Sequence, residues 1–163
     1  ALISRRFNID YFNFGFSGNA LGEKTMANYI AALPMSLFFL DFDHNSPNAE
    51  HLKAHHESFF LNIREKNPDL PVIMATKTDI PRSPAAEKSN AAHRAVVYET
   101  YENAVKRGDR NVIFIDGATV FSKALTLSAP ADSCTVDGCH PNDLGFACMA
   151  KVFGDAIEKM LGL

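Results

Sequence analysis

Four short runs of almost unbroken apolar residues constrain this chain more than any other feature: IDYFNFGF (9–16), SLFFLDF (36–42), PVIMATK (71–77) and NVIFID (111–116). A strand with one wet face alternates apolar and polar residues. A continuous run belongs instead to a strand buried on both faces, as in a parallel sheet covered by helices. Helical patterns fill the gaps. GEKTMANYIAAL (22–33) puts Met26, Ile30 and Leu33 on one side, and NAEHLKAHHESFFLNIREKN (48–67) does the same with Leu52, Phe59, Phe60 and Ile63. A third helix is expected over 85–107, stopping at Gly108. A last one opens at Pro141 and carries Leu144, Cys148, Val152, Ala156 and Met160. The order strand, helix, strand, helix, strand, helix, strand, loop, helix predicts an α/β fold, a three-layer α/β/α sandwich with a parallel sheet and right-handed crossovers.

With 163 residues, 47% of them hydrophobic and 21% charged, the chain is expected to fold as one domain over 1–163. A formal net charge of -3, with Lys and Arg scattered rather than striped, offers no basic surface to a polyphosphate, so nucleic acid is not an expected partner. No apolar run approaches the roughly 20 residues that span a bilayer, and ALISRRFNID lacks the apolar stretch and cleavage site of a signal peptide. The chain therefore reads as soluble, with no membrane partner. Three cysteines cannot all pair; Cys134 and Cys139 are spaced for a local disulfide in an oxidising compartment, without the repeated spacing of a zinc site.

In such sheets ligands collect outside the carboxyl ends of the strands. That rule gathers GFSGN, DFDHNSP, the loop KTDIPRSPAAEKSN and the stretch from Asp116 to His140. Gly15, Gly18 and Gly22 have neither the dinucleotide fingerprint nor a Walker spacing, and they read first as turn glycines. Ser17 resembles a nucleophile elbow, but Asn19 stands where G-x-S-x-G needs glycine. Asp41 and Asp43 can share an ion with His44 only if the strand has ended before them, because alternate strand residues point to opposite faces. Asn45 can present a side-chain amide to a developing oxyanion. His51, His55 and His56 lack the glutamate of H-E-x-x-H and read as solvent-facing or packing residues, as does His93.

DGCHPND (137–143) is the sharpest signal. Asp137 and His140 are three residues apart, Gly138 permits a tight turn between them, and Pro141 suits the first turn of a helix. Such a turn lets the carboxylate accept the Nδ1 proton and aim Nε2 outward. A loop Asp and His that merely cap the last helix is the plainer alternative.

Together these residues resemble the SGNH hydrolases, the GDSL-type esterase and lipase superfamily, and in particular a bacterial acylhydrolase branch with an N-x-G-F-S-G-N block. The resemblance implies a flavodoxin-like three-layer fold. It makes the N-H of Gly18 in FSGN and the amide of Asn45 in DFDHN oxyanion-hole donors, and Asp137 and His140 the carboxylate and general base. The family's usual G-x-N-D is not literally present around Asn45. The family's first block, which carries the nucleophilic serine after the first strand, is also not found, and ALISRRFN looks like the tail of the helix that follows it. The expectation is therefore an N-terminally truncated domain whose sheet lacks its first strand and must close up, expose edges or borrow a strand from a second copy as a homodimer.

By that resemblance the intact protein is a serine esterase acting on acyl esters, with acetyl groups on carbohydrate as the favoured case, and needs no metal or organic cofactor. The truncated chain alone would be nearly inactive. Its compartment stays open, extracytoplasmic if a signal peptide precedes Ala1. The rival expectation is a non-catalytic module that binds a glycan or acylated ligand on the same fold. A phosphate-binding flavodoxin-like domain fits the acidic charge and glycine spacing poorly.

Overall fold

The computed structural model describes residues 1–125 and 130–163. Three of the four apolar runs form strands, β1 (Phe38–Leu40), β2 (Val72–Ala75) and β3 (Val112–Ile115), in a parallel sheet of order β1-β2-β3. Phe38 stands opposite Val72, and Val72 opposite Val112. β2 is central and all four of its residues are buried, which is what an unbroken apolar run encodes.

Its side chains alternate between two cores. Val72 and Met74 join Ala27 and Ile30 of α2 (Lys24–Ala31), Leu52, Phe59, Phe60 and Ile63 of α3 (Ala49–Lys66), and Val96, Val97 and Ala104 of α4 (Pro84–Lys106). Ile73 and Ala75 join Val120 and Phe121 of α5 (Val120–Ala124) and Cys148, Phe153 and Ile157 of α6 (Asp143–Leu161). The short α1 (Leu2–Phe7) lies on α6, where Arg6 reaches Asp155 at 2.8 Å and Glu158 at 2.5 Å. Helices therefore cover both faces of the sheet. Burying each large apolar side chain contributes about 1.5–3 kcal/mol, and Phe60→Ala, at a fully enclosed position, costs about 3–5 kcal/mol.

Helix starts follow local capping. Asn48 Oδ1 accepts the His51 N-H at 2.7 Å, and Ser83 Oγ accepts that of Ala86 at 3.1 Å with Pro84 at the first helical position. α6 begins two residues later than Pro141 suggests. Pro141 instead forms an isolated antiparallel bridge with Thr135, and Asn142 caps the helix through the Gly145 N-H at 3.0 Å. The stretch expected as a loop over 116–140 also holds single-turn helices at Gly117–Thr119 and Ala131–Cys134, besides α5; its residues 126–129 lie outside the described ones.

The run 9–16 is not a strand. Among the described residues no strand lies alongside to accept its ladder, and its polar groups bond locally: the Gly15 N-H to Asn13 Oδ1 at 2.8 Å and the Phe16 N-H to Phe14 O at 3.0 Å. Tyr11, Phe12 and Phe16 are left 58, 65 and 43% exposed. Among the described residues the outer edges of β1 and β3 carry no ladder partner, and no helix is long and apolar enough to cross a membrane.

Candidate active site

The D-x-x-H stretch closes on itself just before α6. Asp137 Oδ1 accepts the backbone N-H groups of Cys139 (2.9 Å) and His140 (2.8 Å), and Oδ2 lies 2.6 Å from His140 Nδ1. Gly138 takes φ +93°, and a Cβ there would come within 2.8 Å of Ile80 O and Arg82 Nε, so glycine is required on both counts. The loop is also tied to its surroundings. The Ile80 N-H donates to Gly138 O (2.6 Å), the Gly138 N-H to Thr135 Oγ1 (3.0 Å) and the Val136 N-H to His140 O (3.0 Å). The His140 backbone N-H, its imidazole and the Cys139 N-H hold the Asp137 carboxyl well below the usual carboxylate range. An ionised Asp137 fixes the proton on Nδ1 and leaves Nε2 as the basic nitrogen. The pair is exposed, at 75 and 50% of its side-chain surface.

His140 borders a cleft of about 350 Å³ at the carboxyl ends of the strands, shared with Ser17, Gly18 and Asn45. Gly18 is the third residue of a turn closed by the Asn19 N-H on Phe16 O at 2.5 Å, and its φ of +70° is the reason for glycine there, since a Cβ would meet nothing within 4 Å. Asn45 ends the single helical turn Asp43–Asn45 that follows β1. Among the described residues its amide has no protein partner, and the Ser17 hydroxyl makes no hydrogen bond to an imidazole. Pro141, Phe146 and Met149 give the cleft an apolar wall, with Lys77 and Thr78 at the end of β2.

Asp41 and Asp43 do not share an ion with His44. Asp43 turns inward, where Oδ2 accepts the Lys77 N-H at 3.1 Å while burial pushes its carboxyl up. Asp41 opens on the cleft, and partial desolvation of its carboxyl with the charges of Asp43 and Asp79 pushes it up. His44 meets Asp79 instead, with Nε2 2.9 Å from Oδ1, and its Nδ1 lies 3.9 Å from Cys139 Sγ. Burial opposes a charge on His44, but Asp79, Asp43 and Asp41 outweigh it and raise its pKa. Burial, with the charges of Asp79 and Asp137, pushes the Cys139 thiol up.

The Cys134–Cys139 disulfide is not formed. Cys134 is buried 4.0 Å from Cys148 Sγ, and the loop's ties hold Cys139 on the cleft side; all three thiols are free. The remaining histidines pack. His51 Nδ1 lies 3.1 Å from Ser46 Oγ, His55 stacks on His51, His56 is buried against Thr100 Oγ1 at 2.9 Å, and His93 Nε2 is 3.3 Å from Ser46 O. Sequence reasoning missed Asp79, for which a lone Asp in TKTD gave no signal.

The chain is similar in structure to a protein of Bacteroides ovatus described as a GDSL-like lipase, at 28% identity and a TM-score of 0.76 over 89% of this chain and 42% of that one. It is similar in fold to the salicylyl-acyltransferase SsfX3 from a tetracycline biosynthetic pathway, at 22% identity and a TM-score of 0.75 over 99% of this chain and 47% of that one. It thus spans less than half the length of either. No curated protein matches its sequence. Residues 1–158 match the GDSL-like Lipase/Acylhydrolase family, and on a match over nearly its whole length the chain belongs to that family.

Proposed function

We propose that the protein hydrolyses small acyl esters, acetyl groups on carbohydrate being the favoured substrates, with His140 as general base and Asp137 as the carboxylate that orients it. The observation that carries this reading is the 2.6 Å Asp137–His140 contact on a cleft shared with Gly18 and Asn45. Ser17 sits in the turn that presents Gly18 and, among the described residues, makes no hydrogen bond to an imidazole, so it is not assigned as the attacking serine. His140 Nε2 takes the proton of the serine hydroxyl as its oxygen attacks the carbonyl carbon, and Asp137 stabilises the imidazolium. The Gly18 N-H, the Asn45 amide and the nucleophile's own N-H hold the oxyanion. The imidazolium returns the proton to the departing alcohol, and water deprotonated by His140 then releases the acid.

A fluorophosphonate probe, followed by mass spectrometry of the labelled peptide, tests this on the 163-residue chain and on a version extended upstream along its gene. The expected result is a label on the extended version alone, at a serine outside residues 1–163, lost in His140→Ala. A label at Ser17 would reassign the nucleophile. No label on either, with saturable binding of an acylated sugar, would replace hydrolysis by a binding module.

A further inference from the structure

We propose that His44, Asp79 and Cys139 form a binding site for one divalent transition-metal ion of the zinc class, with a fourth coordination position open to the cleft. One imidazole nitrogen, one carboxylate oxygen and the thiol sulfur all lie within 4.8 Å of one another. They come from three separate segments: the helical turn after β1, the loop after β2 and the loop before α6. Zinc bonds of about 2.0 Å to nitrogen and about 2.3 Å to sulfur, meeting near the tetrahedral angle, set those two atoms about 3.6 Å apart. Cys139 Sγ lies 3.9 Å from His44 Nδ1 and Asp79 Oδ1 2.9 Å from Nε2; the ion takes one of these nitrogens, and the ligand on the other side of the ring closes onto it.

A second observation points the same way. Asp79 Oδ1 is shut off from water, and its close contact is the ion pair with His44 Nε2 at 2.9 Å, where a metal ion would take the place of the imidazole proton. A carboxylate oxygen in that position needs a cation on it, and a metal ion bound to the imidazole supplies one in place of the proton. The surrounding field favours one, since His44 also lies in the fields of Asp43 and Asp41, while Lys77 Nζ stays 3.9 Å from the other Asp79 oxygen.

The donor set decides the class of ion. Magnesium and calcium take oxygen ligands, whereas a thiolate with an imidazole and a carboxylate suits zinc or cobalt. Three protein ligands leave one position free, the arrangement of a site that receives a ligand rather than one that only staples a fold. His44 and Cys139 both line the cleft that holds Asn45 and His140, so the free position takes water or an oxygen atom of a molecule bound there. On binding, the Cys139 S-H bond breaks as the sulfur-metal bond forms, and the proton leaves to solvent. The site stands on this geometry and is independent of the ester-hydrolysis proposal.

Cobalt(II) and zinc(II) titrations of the protein, reduced and stripped with chelator, test it without any activity assay. Calorimetry should give one site, and cobalt should produce the intense near-ultraviolet thiolate-to-metal charge-transfer band. Cys139→Ser should abolish that band, and His44→Ala and Asp79→Asn should each weaken affinity about tenfold or more, with circular dichroism showing the fold intact. Cobalt binding without a charge-transfer band, a band that survives Cys139→Ser, or no binding at all would each overturn the site. Because His44 is a partly exposed surface residue, its variant keeps the test open even if Asp79→Asn fails to fold.

Discussion

Two segments bring residues to the same cleft by opposite means. Residues 135–143 are tied from several directions: Asp137 gathers three donors, Gly138 is bonded at both its N-H and its carbonyl, and Thr135 pairs with Pro141. Residues 9–22 bond mainly to themselves. Asn13 holds Gly15, Phe14 holds Phe16, Phe16 and Ser17 hold Asn19, the rings of Phe12 and Phe14 stack and those of Phe14 and Phe16 meet at a tilt, with Phe14 alone of these three reaching the first core. His140, the proposed base, is thus held by its own loop. The Gly18 donor depends on a strip of chain that solvent reaches from most sides.

The sharpest way to test that asymmetry is catalytic. On the proposed hydrolysis, His140→Ala in a protein that carries the nucleophile lowers kcat/KM about 10⁶-fold. Asn45→Ala, which removes one oxyanion donor, lowers it about 10²–10³-fold. Initial rates on p-nitrophenyl acetate check both. Equal losses would mean that the cleft's two sides share the work evenly and that the stiffness of 135–143 has no catalytic meaning.

Acid separates the active loop from the scaffold beneath it. Asp137, held below the usual carboxylate range, keeps its charge in the folded chain, and its contribution is lost progressively as the pH falls through and below the range where ordinary carboxylates protonate. His56 behaves differently, because burial pushes it down from 6.5 to about 4. Between those values the unfolded chain binds a proton that the folded chain refuses, so stability falls as the pH drops from about 6.5 to about 4, by on the order of 3 kcal/mol. Asp41, pushed up, acts in the opposite sense over the same window. The His56 effect is therefore read as the difference in urea midpoint between the wild type and His56→Gln. A difference that does not change with pH would show that His56 is solvated rather than enclosed.

The same contrast explains what the sequence revealed. The 137–143 loop was legible because its central ties are local: Asp137, Gly138 and His140 within four residues specify the Asx turn, to which Ile80 adds one bond from outside. The central strand was legible because Val72, Ile73, Met74 and Ala75 are apolar on both faces and buried on both. The run 9–16 looked the same by composition, but apolar content does not say whether a neighbouring strand exists to receive it. Contacts made only in three dimensions left no trace: His44 with Asp79 and with Cys139, or Cys134 with Cys148 rather than Cys139.

Glycine replacements compare the two turns on an energetic scale. Gly138→Ala combines a φ of +93° with a Cβ driven against Ile80 O, and should cost about 1–3 kcal/mol and loosen the Asp137–His140 pair. Gly18→Ala meets no atom within 4 Å and pays only for its φ, about 1 kcal/mol. Urea denaturation measures both. A larger cost at Gly18 would show that 9–22 is held more firmly than its hydrogen bonds indicate.

The smallest expected effect is also the most direct probe of the outer segment. Phe12 is 65% exposed and stacks on Phe14, at 6.1 Å between centroids. A substitution at such a position stays within about 0.5 kcal/mol, so Phe12→Ser should leave the urea midpoint almost unmoved at any protein concentration. The homodimer expected from the sequence makes the opposite demand if it forms through this segment. Tyr11, Phe12, Phe16 and Tyr29 would then be covered by a second copy, the substitution would cost more than 1 kcal/mol, and the cost would grow with protein concentration, as association of folded chains requires. Running the denaturation at two concentrations a hundredfold apart separates these cases. A concentration-dependent loss would turn the exposed strip into an interface and make the Gly18 side of the cleft as firmly held as the His140 side.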